Sequence, residues 1–507
     1  MAKYKHYNYS QTVLLPVSLA NQLMPGTLEF AINTLVEERL DVSQFDKRYN
    51  NDDTGRSAYN PKVLLKAVLL AYSRGIIHSR KIEKACKENI TFMALTCGQQ
   101  PDHSTIAAFV SSMKDEIKGL FSNVLLVCEE MGLLGGSEFS LDGCKLPSDA
   151  SKQWSGTFSV LKGKQQVIER RVQHLLEQQI EADRIEAETL PEEPNREKQI
   201  TKLKKQAERI ERFLHENEAK PGKQYKEVKS NITDNESAMM QTSHGVVQGY
   251  NAQVLVDSKH QVIVQAETFG SGQDYQLLEP VLSKAKENMQ AIGQTEDYFK
   301  GATLTADTGY HSTESIKKCE DEEIDAYIPD RNFRKRDERF LSQQEYMKKQ
   351  RKKFLLEDFS YDELNDQYEC PNGKRLKLNC RKAKSCNTVY RRYRAEAHDC
   401  QGCQLWDKCI RNKRKNIKAK NLMVPVGAVG RNYSREMAKK IDTERGRRIY
   451  PRRIAIVEPV FANIRTQKRL DRFTLRGKIK VTIQWMLYCM VHNIEKIANY
   501  GHGFEAG

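Results

Sequence analysis

A chain of 507 residues is too long for one compact core, and its 39% hydrophobic content suffices for two to four separate ones. Charged residues make up 29% and the net charge is +15, with a pI near 9.1, which points to a polyanionic partner, either nucleic acid or an acidic membrane surface. No apolar run of 18 residues spans a bilayer and MAKYKHYNYSQTV carries no apolar signal core, so a cytoplasmic place is expected.

Residues 1–135 read as helical. Asn60-Pro61 places an N-cap and a first-turn proline ahead of VLLKAVLLAY. Ser79 is expected to cap a second helix, and Ser104 or Thr105 a third. The third keeps Ile106, Phe109, Val110, Met113, Ile117, Leu120, Phe121 and Val124 on one stripe. Short helices of this kind suit either a helix-turn-helix or plain packing.

The pattern then changes. SEFSLDGCKL, residues 137–146, reads as a strand, and residues 249–267 as two β runs joined by a short polar turn. A helix follows from about Asp274, then a strand at ATLTAD, a helix from about Ser312 and a strand at IDAYIP. The expected order is β, β, β, α, β, α, β, an α+β arrangement in which helices flank a mixed sheet over residues 136–330 and 446–500. Two insertions interrupt it. Residues 158–219 are helical and charged, with Ile200, Leu203, Ala207, Ile210 and Leu214 at coiled-coil spacing and a turn at PEEP, so a helical hairpin is expected. Residues 331–445 are basic, cysteine-containing and weakly patterned. The carboxy-terminal VTIQWMLYCMVHNIEKIA reads as an apolar helix laid on the sheet.

Three acids stand out. Asp142 lies in the first strand, where Asp-Gly also reads as a hairpin turn. Asp307 closes the fourth strand, where it also reads as a helix cap. Glu458 sits in IAIVEPVFANIRTQKRLDRF, an apolar helix that turns basic, and Pro459 implies a kink or a helix start beside it. Adjacent strands and a facing helix can bring three carboxylates together. Hard oxygen ligands at one point suit Mg²⁺ (or Mn²⁺), and two such ions roughly 4 Å apart would clamp both oxygens of a phosphodiester displacement.

Six of the twelve cysteines fall between Cys370 and Cys409, and in a large chain without a signal this favours metal over disulfides. Cys370 precedes CQGCQLWDKC, whose Cys400, Cys403 and Cys409 complete a four-thiolate set for structural Zn²⁺, with Cys380, Cys386 and His398 as competing ligands and plain reduced thiols as the simpler reading. KCIRNKRKNIKAK follows, with seven Lys or Arg in thirteen residues, and is expected on phosphate.

SLDGCKL, GYNAQVLVD, TADTGYHS and RRIAIVEPVFANIRTQKRLDRF together resemble the DDE transposases of bacterial insertion sequences, and the region through PDHSTIAAF is similar to the segment preceding their catalytic domain. The resemblance implies an RNase H-like catalytic fold with Asp142, Asp307 and Glu458 as a metal-binding triad. It further implies cleavage at terminal inverted repeats, strand transfer into target DNA, a nucleoid setting, and a dimer or larger oligomer on DNA. Relatives place a tyrosine and an arginine before the glutamate and a basic residue after it. Tyr450, Arg453 and Arg465 stand similarly here, with arginine where lysine is common and one gap a residue longer. Arg465, Lys468, Arg469, Arg476 and Lys478 are expected on the DNA backbone. The rivals are a DNA-binding protein without catalysis and a nuclease that cuts without strand transfer.

Overall fold

The computed structural model describes residues 18–48, 57–185, 196–222, 226–243, 245–340, 354–385, 388–410, 417–426 and 432–502. Short helices build the amino-terminal region: α1 (Leu28–Thr34), α2 (Pro61–Ser73), α3 (Ser79–Glu88), α4 (Ile90–Leu95), α5 (His103–Ser111) and α6 (Ile117–Glu130). Asn60 caps α2 as expected, accepting from the Lys62 N–H. Two expected caps move by one to three residues. His78 precedes α3, so Ser79 is its first helical residue and caps nothing. Asp102, not Ser104 or Thr105, caps α5, and its carboxylate accepts from both of their backbone N–H groups at 2.9 Å.

The stripe from Ile106 to Val124 is buried throughout, but two helices carry it rather than one. Ser112 marks the break. Its hydroxyl donates back to the Ala108 carbonyl at 2.7 Å, while Arg48 takes its own carbonyl at 2.7 Å. Both bonds compete with the helical ladder.

A six-stranded mixed sheet comes next: β1 (Glu138–Pro147), β2 (Ala238–Thr242), β3 (Gly245–Asp257), β4 (Ile263–Phe269), β5 (Thr303–Ala306) and β6 (Asp325–Tyr327). The path runs β4-β3-β1-β5-β6, antiparallel up to β1 and parallel from β1 to β6, and β2 pairs with the start of β3. The β2 strand was not expected. It is a short edge strand, AMMQT, with only one buried side chain, and leaves little periodic signal. Helices α9 (Leu278–Ala291) and α10 (Thr313–Asp321) connect the parallel part, and Ser312 caps α10 through the Ser315 N–H at 3.0 Å.

Between β1 and β2, α7 (Phe158–Ile185) and α8 (Arg196–Glu216) pack together. Leu161 meets Ile210 and Phe213, while Val172 and Leu175 meet Ile200. The chain therefore runs forward along one helix and back along the other. The PEEP turn lies outside the described residues.

The 331–445 stretch holds more structure than its pattern suggested. An antiparallel sheet, β7 (Ser360–Asp362), β8 (Gln367–Glu369), β9 (Arg375–Ser385), β10 (Thr388–Ala395) and β11 (Asn421–Pro425), pairs in sequence order. It has its own core of Phe359, Tyr368, Leu376, Tyr393, Ala395, Leu422 and Val424. The ends of the stretch leave this core. Phe333, and Met437 and Ile441 of α11 (Tyr433–Asp442), pack into the main one.

Helices α12 (Glu444–Ile449), α13 (Arg452–Ala462) and α14 (Lys478–Tyr500) close the fold. As expected, α14 lies on the sheet. Asn493 bonds both the N–H and the carbonyl of Ile263, at 2.8 and 2.9 Å, and the Trp485 indole donates to the Gln253 carbonyl at 3.0 Å. Its other side stacks Tyr488 on Tyr72 of α2 with centroids 4.6 Å apart, which joins the amino-terminal helices to the same core.

Pro459 sits inside α13 rather than at its start. A proline leaves the carbonyl four residues earlier without its helical donor. That carbonyl, Ala455 O, accepts instead from the Gln261 side-chain amide at 3.0 Å. Gln261 stands in the β3–β4 turn at φ +61°, and its side-chain and backbone oxygens meet Lys496 and His492 of α14 at 3.0 and 2.9 Å.

Candidate functional site

The parallel register of β1 and β5 ends at Leu141 opposite Ala306, so Asp142 and Asp307 follow on neighbouring strands at the next rung. Asp307 caps the turn after β5, accepting from the Thr308 N–H at 2.6 Å. Asp142 is largely enclosed. Burial pushes its carboxyl up to about 6, Arg453 pulls it back, and the charge of Asp307 adds to the rise. Arg453, from the first turn of α13, donates to Asp142 directly and lies beside Tyr450, whose ring packs edge-on against Phe333 at 5.3 Å.

Glu458 does not join them. It is exposed on α13, and five residues beyond Arg453 it points roughly 140° round the helix from the side chain that reaches Asp142. Among the described residues, no group of three or more His, Cys, Asp or Glu side chains is arranged to hold a metal ion. The two neighbouring aspartates have the right donor chemistry for a divalent cation, and their mutual repulsion is what a cation would relieve.

The basic residues divide. Arg465 and Arg469 are exposed, and Arg469 runs along Gly75 of the amino-terminal region. Arg476 pairs with Asp149 at 2.7 Å, while the Lys478 ammonium lies over the Phe269 ring. Lys468 is the clear departure from expectation. It is 1% exposed, and its ammonium is held by Asn463 and by Glu495 at 2.6 Å, so it faces no phosphate.

A polar network beside the acids escaped the sequence reading. The Asp274 carboxylate accepts from the Asn251 amide at 2.6 Å and the Gln253 amide at 3.3 Å, and Tyr310 donates to Gln253. The Tyr310 hydroxyl lies within electrostatic reach of Asp142, Asp274 and Asp307, and Asp274 packs against Gly309. A Cβ at Gly143 would overlap the Gln253 amide, which accounts for glycine after Asp142. The signal was present: Asn251 and Gln253 break an apolar strand at period two and share a face.

Cys370, Cys400, Cys403 and Cys409 line one small cavity in the five-stranded sheet. Burial raises the Cys400 and Cys409 thiols, and the neighbouring sulfurs add to the rise. The Lys374 N–H donates to the Cys370 sulfur at 3.4 Å. Cys380 is half-buried on the outer row of β9, His398 is exposed, and Cys386 lies outside the described residues. Much of KCIRNKRKNIKAK, residues 411–416, lies outside them as well.

Two family models match the chain. One, described as a transposase DDE domain, covers residues 369–498, and the other, a transposase domain (DUF772), covers residues 17–112. Together they indicate a DDE transposase of the insertion-sequence type. The first match takes in the cysteine set, Tyr450, Arg453 and Glu458, whereas Asp142 and Asp307 lie in the stretch between the two matches. No curated protein matches the chain. Among the described residues, no helix is long and apolar enough to cross a membrane.

Proposed function

We infer that the chain is a DNA transposase that binds the terminal inverted repeats of its own element, cuts strands there with a divalent metal, and joins them to target DNA. The observation that carries this reading is the juxtaposition of Asp142 and Asp307 where the parallel pairing of β1 and β5 ends, with Arg453 of the matched DDE segment reaching into them. Apart from the edge strand β2 and the α7–α8 pair, the order β, β, β, α, β, α, β supports the RNase H-like reading of the sheet. Asp142 and Asp307 would hold Mg²⁺ or Mn²⁺, and the family resemblance alone proposes Glu458 as the third acid, since in this structure it faces away from the pair. Such an ion, once bound, offsets charge on the reacting phosphate and lowers the pKa of a bound water.

The chain's own residues do the rest. Arg453 neutralises the enclosed Asp142, which otherwise carries the full cost of a buried charge. Tyr310 and the amides behind it hold the loop that carries Asp307. Arg465 and Arg469 offer exposed cations to the DNA backbone. The four cysteines are proposed to hold Zn²⁺ because they line one cavity, although as they stand they are not among the side-chain groups arranged for a metal ion. Synapsis of two ends calls for at least a dimer, and the α7–α8 hairpin, with Val160, Val167 and Ile180 exposed, is the surface suited to it.

The exposed position of Glu458 favours a second reading, a DNA-binding protein without catalysis. Incubating duplex DNA bearing the element's terminal repeats with Mg²⁺ separates the two. The parent should cut and Asp307→Asn should not, with DNA affinity kept within a few-fold. A parent that binds the repeats and never cuts leaves the second reading standing.

A further inference from the structure

The five-stranded sheet has two unlike faces. Inward, Tyr368, Leu376, Tyr393, Leu422 and Val424 form a closed apolar core. Outward, Arg375 and Lys377 on β9 and Arg392 and Arg394 on β10 are all exposed. The register sets Lys377 directly opposite Arg394, with Asn421 of β11 beyond. Like charges facing each other across an antiparallel pair destabilise a sheet, and a face that served only solubility would alternate its signs. The acids here are marginal. Glu369 faces Arg375 from β8, and Glu396 reaches Lys377 only at 3.8 Å. Among the described residues, Arg375, Arg392 and Arg394 form no ion pair.

We propose that the outer face of this sheet, centred on Arg375, Lys377, Arg392 and Arg394, docks the phosphate backbone of duplex DNA as a surface separate from the acid pair. The occupant follows from charge complementarity. Four cations sit on two strands about 4.8 Å apart, with successive same-face residues about 6.7 Å apart, a compact grid that a polyanion would neutralise. Exposed Asn421 adds a neutral hydrogen-bonding group at its margin, and Asn379 accepts from the Arg392 guanidinium at 3.0 Å. This surface lies outside the residues read from the sequence, where KCIRNKRKNIKAK and the basic residues after Glu458 were expected on phosphate. It rests on the DNA-binding part of the function proposed above.

The test uses the full chain and a fluorescent duplex of arbitrary sequence, with affinity measured across a salt series. One variant carries Arg375→Gln, Lys377→Gln, Arg392→Gln and Arg394→Gln. A second removes the same charge from the helical hairpin through Lys162→Gln, Lys202→Gln, Lys204→Gln and Lys205→Gln. The sheet variant should bind at least about thirtyfold more weakly near 0.1 M salt, and its log K against log salt slope should shrink by about 3 to 4, while the hairpin variant stays within a few-fold of the parent. Equal losses in both variants would reduce the effect to net charge and overturn the proposal. A sheet variant that binds as the parent does would overturn it too and leave the face to some other polyanion. A parent that binds no duplex at all would remove the DNA reading itself, a separate failure.

Discussion

The two sheets treat charge in opposite ways. In the mixed sheet, charged side chains are drawn inward and matched: Asp142 with Arg453, and behind the sheet Lys468 with Glu495. In the five-stranded sheet the core is apolar and the cations stand outside, like facing like. Burial makes one misplaced charge expensive, so the first region depends on individual residues. Exposure and salt make each charge cheap, so the second depends on their number.

The largest effect expected from this contrast is catalytic. Asp142→Asn should lower Mg²⁺-dependent strand cutting by at least about a thousandfold, and Glu458→Ala by about a hundredfold or more, with duplex affinity unchanged or slightly improved. Gel assays of cutting beside binding isotherms decide it. Full activity in Glu458→Ala would release that residue from the site and leave Asp142 and Asp307 as the only acids in play.

Next comes stability. Lys468→Ala should cost about 2–3 kcal/mol in denaturant unfolding, less than a fully buried pair because Glu495 keeps 20% of its side chain in water. Its DNA affinity should match the parent's, the reverse of what the basic pattern of the sequence suggested. Removing Glu495 together with Lys468, both as Met, should recover most of the loss. A smaller cost, about 1–2 kcal/mol, is expected for Asp274→Ala, which strips the acceptor from the Asn251 and Gln253 amides, and less for Asp274→Asn, which retains one.

The smallest effect separates the two sheets by thiol chemistry. Burial pushes Cys144 of β1 up to about 12, and Cys86 of α3 up to about 11. Thiolate is the reactive form, and at pH 8 these raised groups hold almost none, so both should resist iodoacetamide until the chain unfolds. Exposed Cys97 should label at once. In the second sheet, Cys403 should label readily after chelation and slowly once Zn²⁺ is restored. Equal rates with and without the metal would leave these thiols structurally plain.

What was legible in the sequence follows from periodicity. Helices α2 and α14 have long apolar runs that only burial explains, β1 and β3 carry apolar residues spaced as in a strand, and each fell close to where expected. Local chemistry placed Asn60 as a cap and a helix start at Ser312, but misplaced the cap of α3 by one residue and that of α5, where Asp102 outcompetes the hydroxyls after it. The five-stranded sheet was not expected although alternation is present in RLKL and RYRA, because the basic residues on its outer rows lower the local hydrophobicity. Asp142 and Asp307 were legible because each follows an apolar strand segment, and parallel pairing puts residues distant in sequence on adjacent strands. The orientation of Glu458 was not readable, since it depends on how α13 rotates to set Arg453 against Asp142. For the Asp274 network, Asn251 and Gln253 were readable as a polar strand face, but not the loop carboxylate they bond.

Gln261 constrains how this chain can vary. A hairpin tip on the edge of a sheet is ordinarily where length changes are tolerated. Here the tip residue holds the carbonyl freed by Pro459 and is itself gripped from α14, so the turn length is tied to the placement of the helix bearing Arg453 and Glu458. One extra residue at the tip would leave Ala455 O without a donor and shift that helix against β1. Epitope tags, natural insertions and circular permutation breakpoints should therefore be excluded from residues 258–262, however accessible the loop looks from outside.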